Sequence, residues 1–198
     1  MSSGYDKEED GVMSVQDRPP PGKYKLTVAD FLMLDETGVF GTTRTELLDG
    51  DIIIMNSEYR PHARIAEEVR YLMRRRLEEL GSDLRPLSAS TALSEHDVPL
   101  PDVVLTREAR GEGTIPLASV QLVVEVSSTT LHRDTGLKAT MYARAGVPEY
   151  WVVDVSGQVV RQFWSPQGDR YLVSAEATFG ADIVATTIPG LTISTSAF

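Results

Sequence analysis

Asp102, Glu125 and Lys138 stand where ordinary fold-building would not place charge. Asp102 opens the run Pro101-Asp102-Val103-Val104-Leu105, a carboxylate at the mouth of an otherwise apolar strand. Glu125 is enclosed in Val123-Val124-Glu125-Val126-Ser127, where an unpaired charge is costly unless a cation or hydrogen bonds compensate it. Two such acids on neighbouring strands can share a cation. Strand alternation puts Gln121, Val123, Glu125 and Ser127 on one face and Leu122, Val124 and Val126 on the other. In the helix expected next, Lys138, Met141, Tyr142 and Ala145 follow the i, i+3, i+4, i+7 pattern, so the lysine shares a side with packing residues and its ammonium is within reach of the carboxylates. The plainer readings are a hydrogen-bonded acid pair, a turn-capping aspartate and a lysine serving as a salt-bridge partner. Of the chain's four lysines, Lys138 alone lies inside the expected domain, since Lys7, Lys23 and Lys25 precede its edge.

The elements that position these residues can be read from pattern. Thr27-Val28-Ala29-Asp30 has capping-box spacing and predicts a short helix over Phe31, Leu32 and Leu34. Asp49-Gly50, between Glu46-Leu47-Leu48 and Ile52-Ile53-Ile54-Met55, predicts a β-hairpin. From Pro61 to Leu80, Ile65, Ala66, Val69, Leu72, Met73 and Leu77 recur at three- and four-residue intervals, the strongest helix signal in the chain. Strands are expected at Arg85 to Leu93, Asp102 to Thr106 and Val120 to Val126. A second helix is expected from Asp134 as N-cap to Ala145, closed by Gly146-Val147-Pro148. Further strands follow at Tyr150 to Asp154, Val159 to Trp164 and Tyr171 to Ser174. The fold class is α/β in the mixed α+β sense, a central mixed sheet flanked by helices with extra β-hairpins.

Length and composition bound the function. The 198 residues suit a polar, disordered leader over 1–25 and one domain over 26–198. With no cysteine, disulfide frameworks, thiolate catalysis and Cys-ligated zinc are excluded, and a cytoplasmic address is the expectation. No apolar run approaches the ~18 residues needed to cross a bilayer, and the N-terminus lacks the features of a secretory signal. The net charge is −10, and because residues 1–25 hold five acids and four bases, about −9 remains on the domain. That counts against tight nonspecific binding to phosphate backbones, yet a carboxylate-lined metal site is itself acidic and its cation supplies attraction. Arg64, Arg70, Arg74, Arg75 and Arg76 cluster in the long helix, where a solvated face explains them. No Gly-x-Ser-x-Gly elbow, Walker loop or His-Glu-x-x-His is present.

Ordered landmarks carry a family resemblance: Glu46-Leu-Leu-Asp-Gly-Asp, Pro61-His62-Ala63, Pro101-Asp102-Val-Val, Val123-Val-Glu125-Val-Ser, and Lys138-x-x-x-Tyr142-Ala-Arg-Ala-Gly-Val-Pro-Glu149-Tyr-Trp-Val-Val-Asp154. Together, over about 170 residues, they resemble the Uma family of restriction-endonuclease-like proteins, within the PD-(D/E)XK nuclease-like superfamily. The resemblance implies a restriction-endonuclease-like fold and Mg²⁺- or Mn²⁺-dependent hydrolysis of DNA. It implies Asp102 and Glu125 as metal ligands, with the backbone carbonyl of Val126 as a third, and Glu46 and His62 as outer residues of the site. A strict Glu-x-Lys motif would place lysine at 127, where this chain has Ser127, so Lys138 is assigned the role of a migrated lysine. Capping or packing also accounts for His62, and a solvated strand edge for Glu46. Tyr142 reads as core before it reads as catalytic. His132 and Arg133 are candidates to meet phosphate, or simply a polar loop.

The chemistry implied is in-line attack of water on a phosphodiester, with a hard cation neutralising developing charge. Paired carboxylates also serve glycosidases, but the lysine and the resemblance favour phosphodiesters. The competing reading is a catalytically inactive nuclease-fold module used for binding or assembly, motivated by the acidic charge and by Ser127. A homodimer is an expectation without an identifiable interface in the sequence.

Overall fold

The computed structural model describes residues 22–55 and 59–198. The leader expected over 1–25 falls almost wholly on residues 1–21, outside the described residues. Helix α1 (Val28–Glu36) starts as its sequence predicts: the Thr27 hydroxyl accepts from the Asp30 amide and the Asp30 carboxylate accepts from the Thr27 amide. Strands β1 (Thr45–Leu48) and β2 (Asp51–Ile54) pair antiparallel around Asp49 and Gly50, at φ 51° and 75°. Both signs match a two-residue I′ turn, which needs a left-handed backbone twice in succession.

Helix α2 (Arg60–Glu79) covers one face of a six-stranded sheet. The strands that follow α2 are β3 (Arg85–Leu87), β4 (Thr91–Ala92), β5 (Val103–Thr106), β6 (Ile115–Pro116) and β7 (Val120–Ser127). Next come α3 (Leu131–Arg133), a π turn (Asp134–Lys138) and α4 (Ala139–Ala145), which form one helical stretch. The chain closes with β8 (Glu149–Asp154), β9 (Val159–Gln167), β10 (Arg170–Thr178), β11 (Asp182–Val184) and β12 (Thr192–Ser194). The sheet order is β10-β9-β8-β7-β5-β3, with β7 and β8 parallel and every other neighbour antiparallel.

Central strand β7 is buried on both faces, which is why its sequence is a valine run rather than an alternation. Leu122, Val124 and Val126 pack with Ile65, Val69 and Met73 of α2 and with the β11–β12 hairpin through Ile183 and Ile193. Val123 packs on the opposite side with Met141 and Tyr142 of α4 and with Tyr150. The parallel β7–β8 pair requires a crossover, and α3, the π turn and α4 supply it.

Three expectations are corrected. The strand expected over Arg85 to Leu93 breaks after Leu87, and Thr91–Ala92 pairs instead with Ile115–Pro116 in a small parallel ribbon. The second helix does not start at Asp134. Its backbone bonding begins at Thr130, whose carbonyl accepts from the Arg133 and Asp134 amides, so Asp134 lies inside the helix and not at its cap. The terminal strands also run longer than hydrophobicity marks them, through Gln167 and Thr178, because hairpin pairing continues past the apolar stretch.

Candidate active site

Four elements converge. Hairpin strand β1 carries Glu46, docked through reciprocal backbone bonds between Leu47 and Val98. The entry to β5 carries Asp102, the middle of β7 carries Glu125, and the π turn carries Asp134 and Lys138. All five side chains are buried. They border, with Glu46 behind, a cavity of about 440 Å³ whose wall also includes His62, Thr130 and Arg133.

Lys138 Nζ donates to Glu46 Oε1 at 2.7 Å and to Glu125 Oε1 at 2.9 Å. The lysine therefore holds two acids from strands that do not neighbour each other. Tyr142 OH donates to the same Glu125 Oε1 at 2.8 Å, and the Leu100 amide donates to Glu46 Oε1 at 3.0 Å. Asp102 Oδ2 accepts from the Val126 amide at 2.7 Å and lies 3.2 Å from His62 Nε2. Each acid of the pair thus has one oxygen engaged, while Asp102 Oδ1 and Glu125 Oε2 receive no hydrogen bond among the described residues. Glu46 Oε2 is buried without a partner among them.

Charge is out of balance here. Glu46, Asp102, Glu125 and Asp134 surround a single buried amine, and burial pushes the Glu125 carboxyl up to about 8. Lys138 pulls the other way, while Asp102, Glu46 and Asp134 add to the rise. The two acids hold Lys138 above the ordinary lysine range against the opposing effect of its burial. Burial also raises Asp134, and the Thr130 hydroxyl that donates to it lowers it.

These features fit a hard divalent cation. No group of three His, Cys, Asp or Glu side chains is arranged around one point among the described residues, but Mg²⁺ needs only one or two carboxylates and retains water and phosphate oxygens. The Val126 carbonyl is also open among the described residues. The Ser127 carbonyl accepts from Val155 on the β8 side, so alternation turns the amide and carbonyl of Val126 toward β5. Continuing the register from Val103 opposite Val124 puts Pro101 opposite Val126, and proline has no N–H to give that carbonyl. The carboxylate charge at the cavity wall, with one oxygen of Asp102 and one of Glu125 unengaged among the described residues, suits a bound cation.

A family model described as "Uma2: Putative restriction endonuclease" matches residues 28–196. The chain belongs to the Uma2 family. No curated protein matches it. Among solved structures it is similar to a putative nuclease belonging to DUF820 from Anabaena variabilis, at 21% identity and a TM-score of 0.67, covering 87% of this chain and 96% of that one. That likeness is one of fold, a central mixed sheet with helices against it.

In this Uma2 chain the structure brings Asp102, Glu125, Lys138, Glu46 and His62 into one neighbourhood. Ser127, at the strict motif position, is buried with its hydroxyl 3.4 Å from that of Thr130. Tyr142 is core and site together: its ring packs at a tilt of 41° against Tyr150 while its hydroxyl donates to Glu125. Asp134 was not among the sequence candidates, having been read as a cap. Its spacing of four from Lys138, on the same helical side, was the available signal.

Proposed function

We propose that this Uma2 chain hydrolyses phosphodiester bonds in DNA with Mg²⁺ or Mn²⁺ held by Asp102, Glu125 and the carbonyl of Val126. The observation that carries the reading is the pair of buried acids, each with one oxygen engaged and one open, beside a single buried lysine at the base of a cavity. The cation would neutralise the scissile phosphate and acidify the attacking water. The side chains do the rest. The Val126 amide and His62 fix one oxygen of Asp102, while Tyr142 and Lys138 fix one oxygen of Glu125, so both open oxygens are set before substrate arrives. Lys138, already sharing its protons between Glu46 and Glu125, acts as a fixed positive charge against the negative charge that develops on the phosphate oxygens. Arg133 faces the same cavity, and its one ionic contact among the described residues is a 3.8 Å approach of Nε to Asp134. Its terminal amino groups have no partner among the described residues and suit a substrate phosphate.

The test is incubation of the full chain with single- and double-stranded DNA, with Mg²⁺ or Mn²⁺ and with chelator. The expected result is metal-dependent cleavage that Asp102→Ala abolishes. Cleavage that survives in the variant sinks the site, and Mn²⁺ binding without any cleavage points to the inactive module.

A further inference from the structure

The cavity over Asp102 and Glu125 is not lined uniformly. Its inner end consists of the buried acids and Lys138. From the connection after β7, Thr130 and Arg133 make one flank polar, and both approach Asp134. The other flank comes from the end of β2 and the start of α2, and there Ile54, Met55 and Tyr59 are apolar or aromatic. This second flank adjoins Asp102, because His62, in the first turn of α2, lies 3.2 Å from its carboxylate.

The fold does not account for the two most exposed of these side chains. Ile54 and Tyr59 are 68% and 74% exposed, so neither builds the core. Tyr59 is the N-cap of α2, a position that favours a short hydroxyl or carboxylate side chain, and it makes no capping bond. Its side chain has no ring or hydrogen-bond partner among the described residues. Apolar residues scattered singly over a surface need no explanation, but three at the mouth of one mainly polar cavity do.

We infer that Tyr59, flanked by Ile54 and Met55, takes the face of an unpaired base next to the scissile phosphate, so that the substrate is single-stranded DNA and not intact duplex. The inference rests on the hydrolytic reading and names its substrate class. A nucleotide has the same division as the cavity: a charged phosphate for the inner end and the polar flank, and a flat base for the aromatic one. At about 440 Å³ the cavity has the size of a pocket for one small molecule. In a duplex the base is paired and stacked with its neighbours, and extruding it costs free energy. In a single strand it is free to stack on an aromatic side chain, whatever its identity. Stacking also draws on no phosphate charge, which suits a chain of net charge −10 better than tracking a duplex does.

Fluorescence anisotropy on the full chain in Ca²⁺ tests it, with a short single-stranded oligonucleotide, its duplex, and the same strand built with abasic sugars. The parent is expected to bind the single strand about tenfold more tightly than either of the others. Tyr59→Ala should lose that margin and leave the duplex and abasic affinities unchanged, whereas Tyr59→Trp should keep it. Mn²⁺ affinity, read by calorimetry, should be the same in the parent and both variants. Equal affinity for single strand and duplex, a Tyr59→Ala loss shared by the abasic strand, or a loss of Mn²⁺ binding in that variant overturns the proposal. Cleavage in Mn²⁺ is scored separately against Asp102→Ala. Absent cleavage with the base-dependent margin intact removes hydrolysis and leaves the stacking site. Metal-dependent cleavage indifferent to strandedness and to Tyr59→Ala removes the stacking site alone.

Discussion

Glu125 shows how a single side chain couples the site to solvent conditions. Burial pushes its carboxyl from 4.5 up to about 8, so the folded chain binds that proton more tightly than the unfolded chain. Its contribution to stability is complete below pH 4.5 and disappears as pH rises through about 8. In chelator, the parent protein should therefore lose melting temperature over this window relative to Glu125→Gln, and Mn²⁺ should recover it at the alkaline end. Parallel melting curves for parent and variant rule the coupling out. Lys138→Met, read by thermal and urea unfolding, should cost about 3–5 kcal/mol, because two buried carboxylates lose their cation. The acids were legible from their awkward company of valines, and Lys138 from helical phase. What could not be read was which oxygen each partner takes, since that depends on Tyr142 and the Val126 amide arriving from separate elements. The function of Asp134 as a lining acid was hidden for a related reason: an aspartate before an amphipathic run has the local signature of a cap, and only the earlier start at Thr130 turns it inward.

At the scale of elements, the hairpin of β1 and β2 places Glu46 against Lys138 and depends on its turn. Gly50 has φ +75°, and a Cβ there would meet Lys25 Cβ at 2.7 Å and Cα at 2.9 Å. Gly50→Val should destabilise the protein by about 1–3 kcal/mol and weaken Mn²⁺ binding through displacement of the hairpin, measured by thermal unfolding and calorimetry. Unchanged binding would detach the hairpin from the site. Elements with a strong periodic signal, α2 and β7, follow the sequence closely, because burial decides both their pattern and their place. The π turn had no such signal. An extra residue in the helical ladder is compatible with the same apolar spacing, and π turns recur at functional sites because they redirect side chains without ending the helix. The β11–β12 hairpin was missed because three-residue strands leave too few alternations to register, although Ile183 and Ile193 help close the core.

For the whole molecule, a net charge of −10 makes bulk attraction to a polyanion weak, so binding must draw on a few directed contacts and on the cation. If Arg133 is one of them, Arg133→Ala should reduce the slope of log affinity against log salt by about 1 for a short DNA duplex, measured by fluorescence anisotropy in Ca²⁺, while Mn²⁺ affinity stays unchanged. An unaltered slope removes Arg133 from the contact set. The charge was legible from composition but not its compensation, which exists only once distant segments meet. The Lys138–Glu46 ion pair joins residues 92 positions apart, and with Glu125 it ties hairpin, central strand and crossover helix at one point. A ligand held by these elements together binds only the assembled chain and so opposes openings that separate them. Amide hydrogen exchange should therefore slow across the entire sheet on Mn²⁺ binding, in the cores of β5, β7 and β8 as much as at the cavity wall, with metal acting as a brake on global opening rather than a local splint.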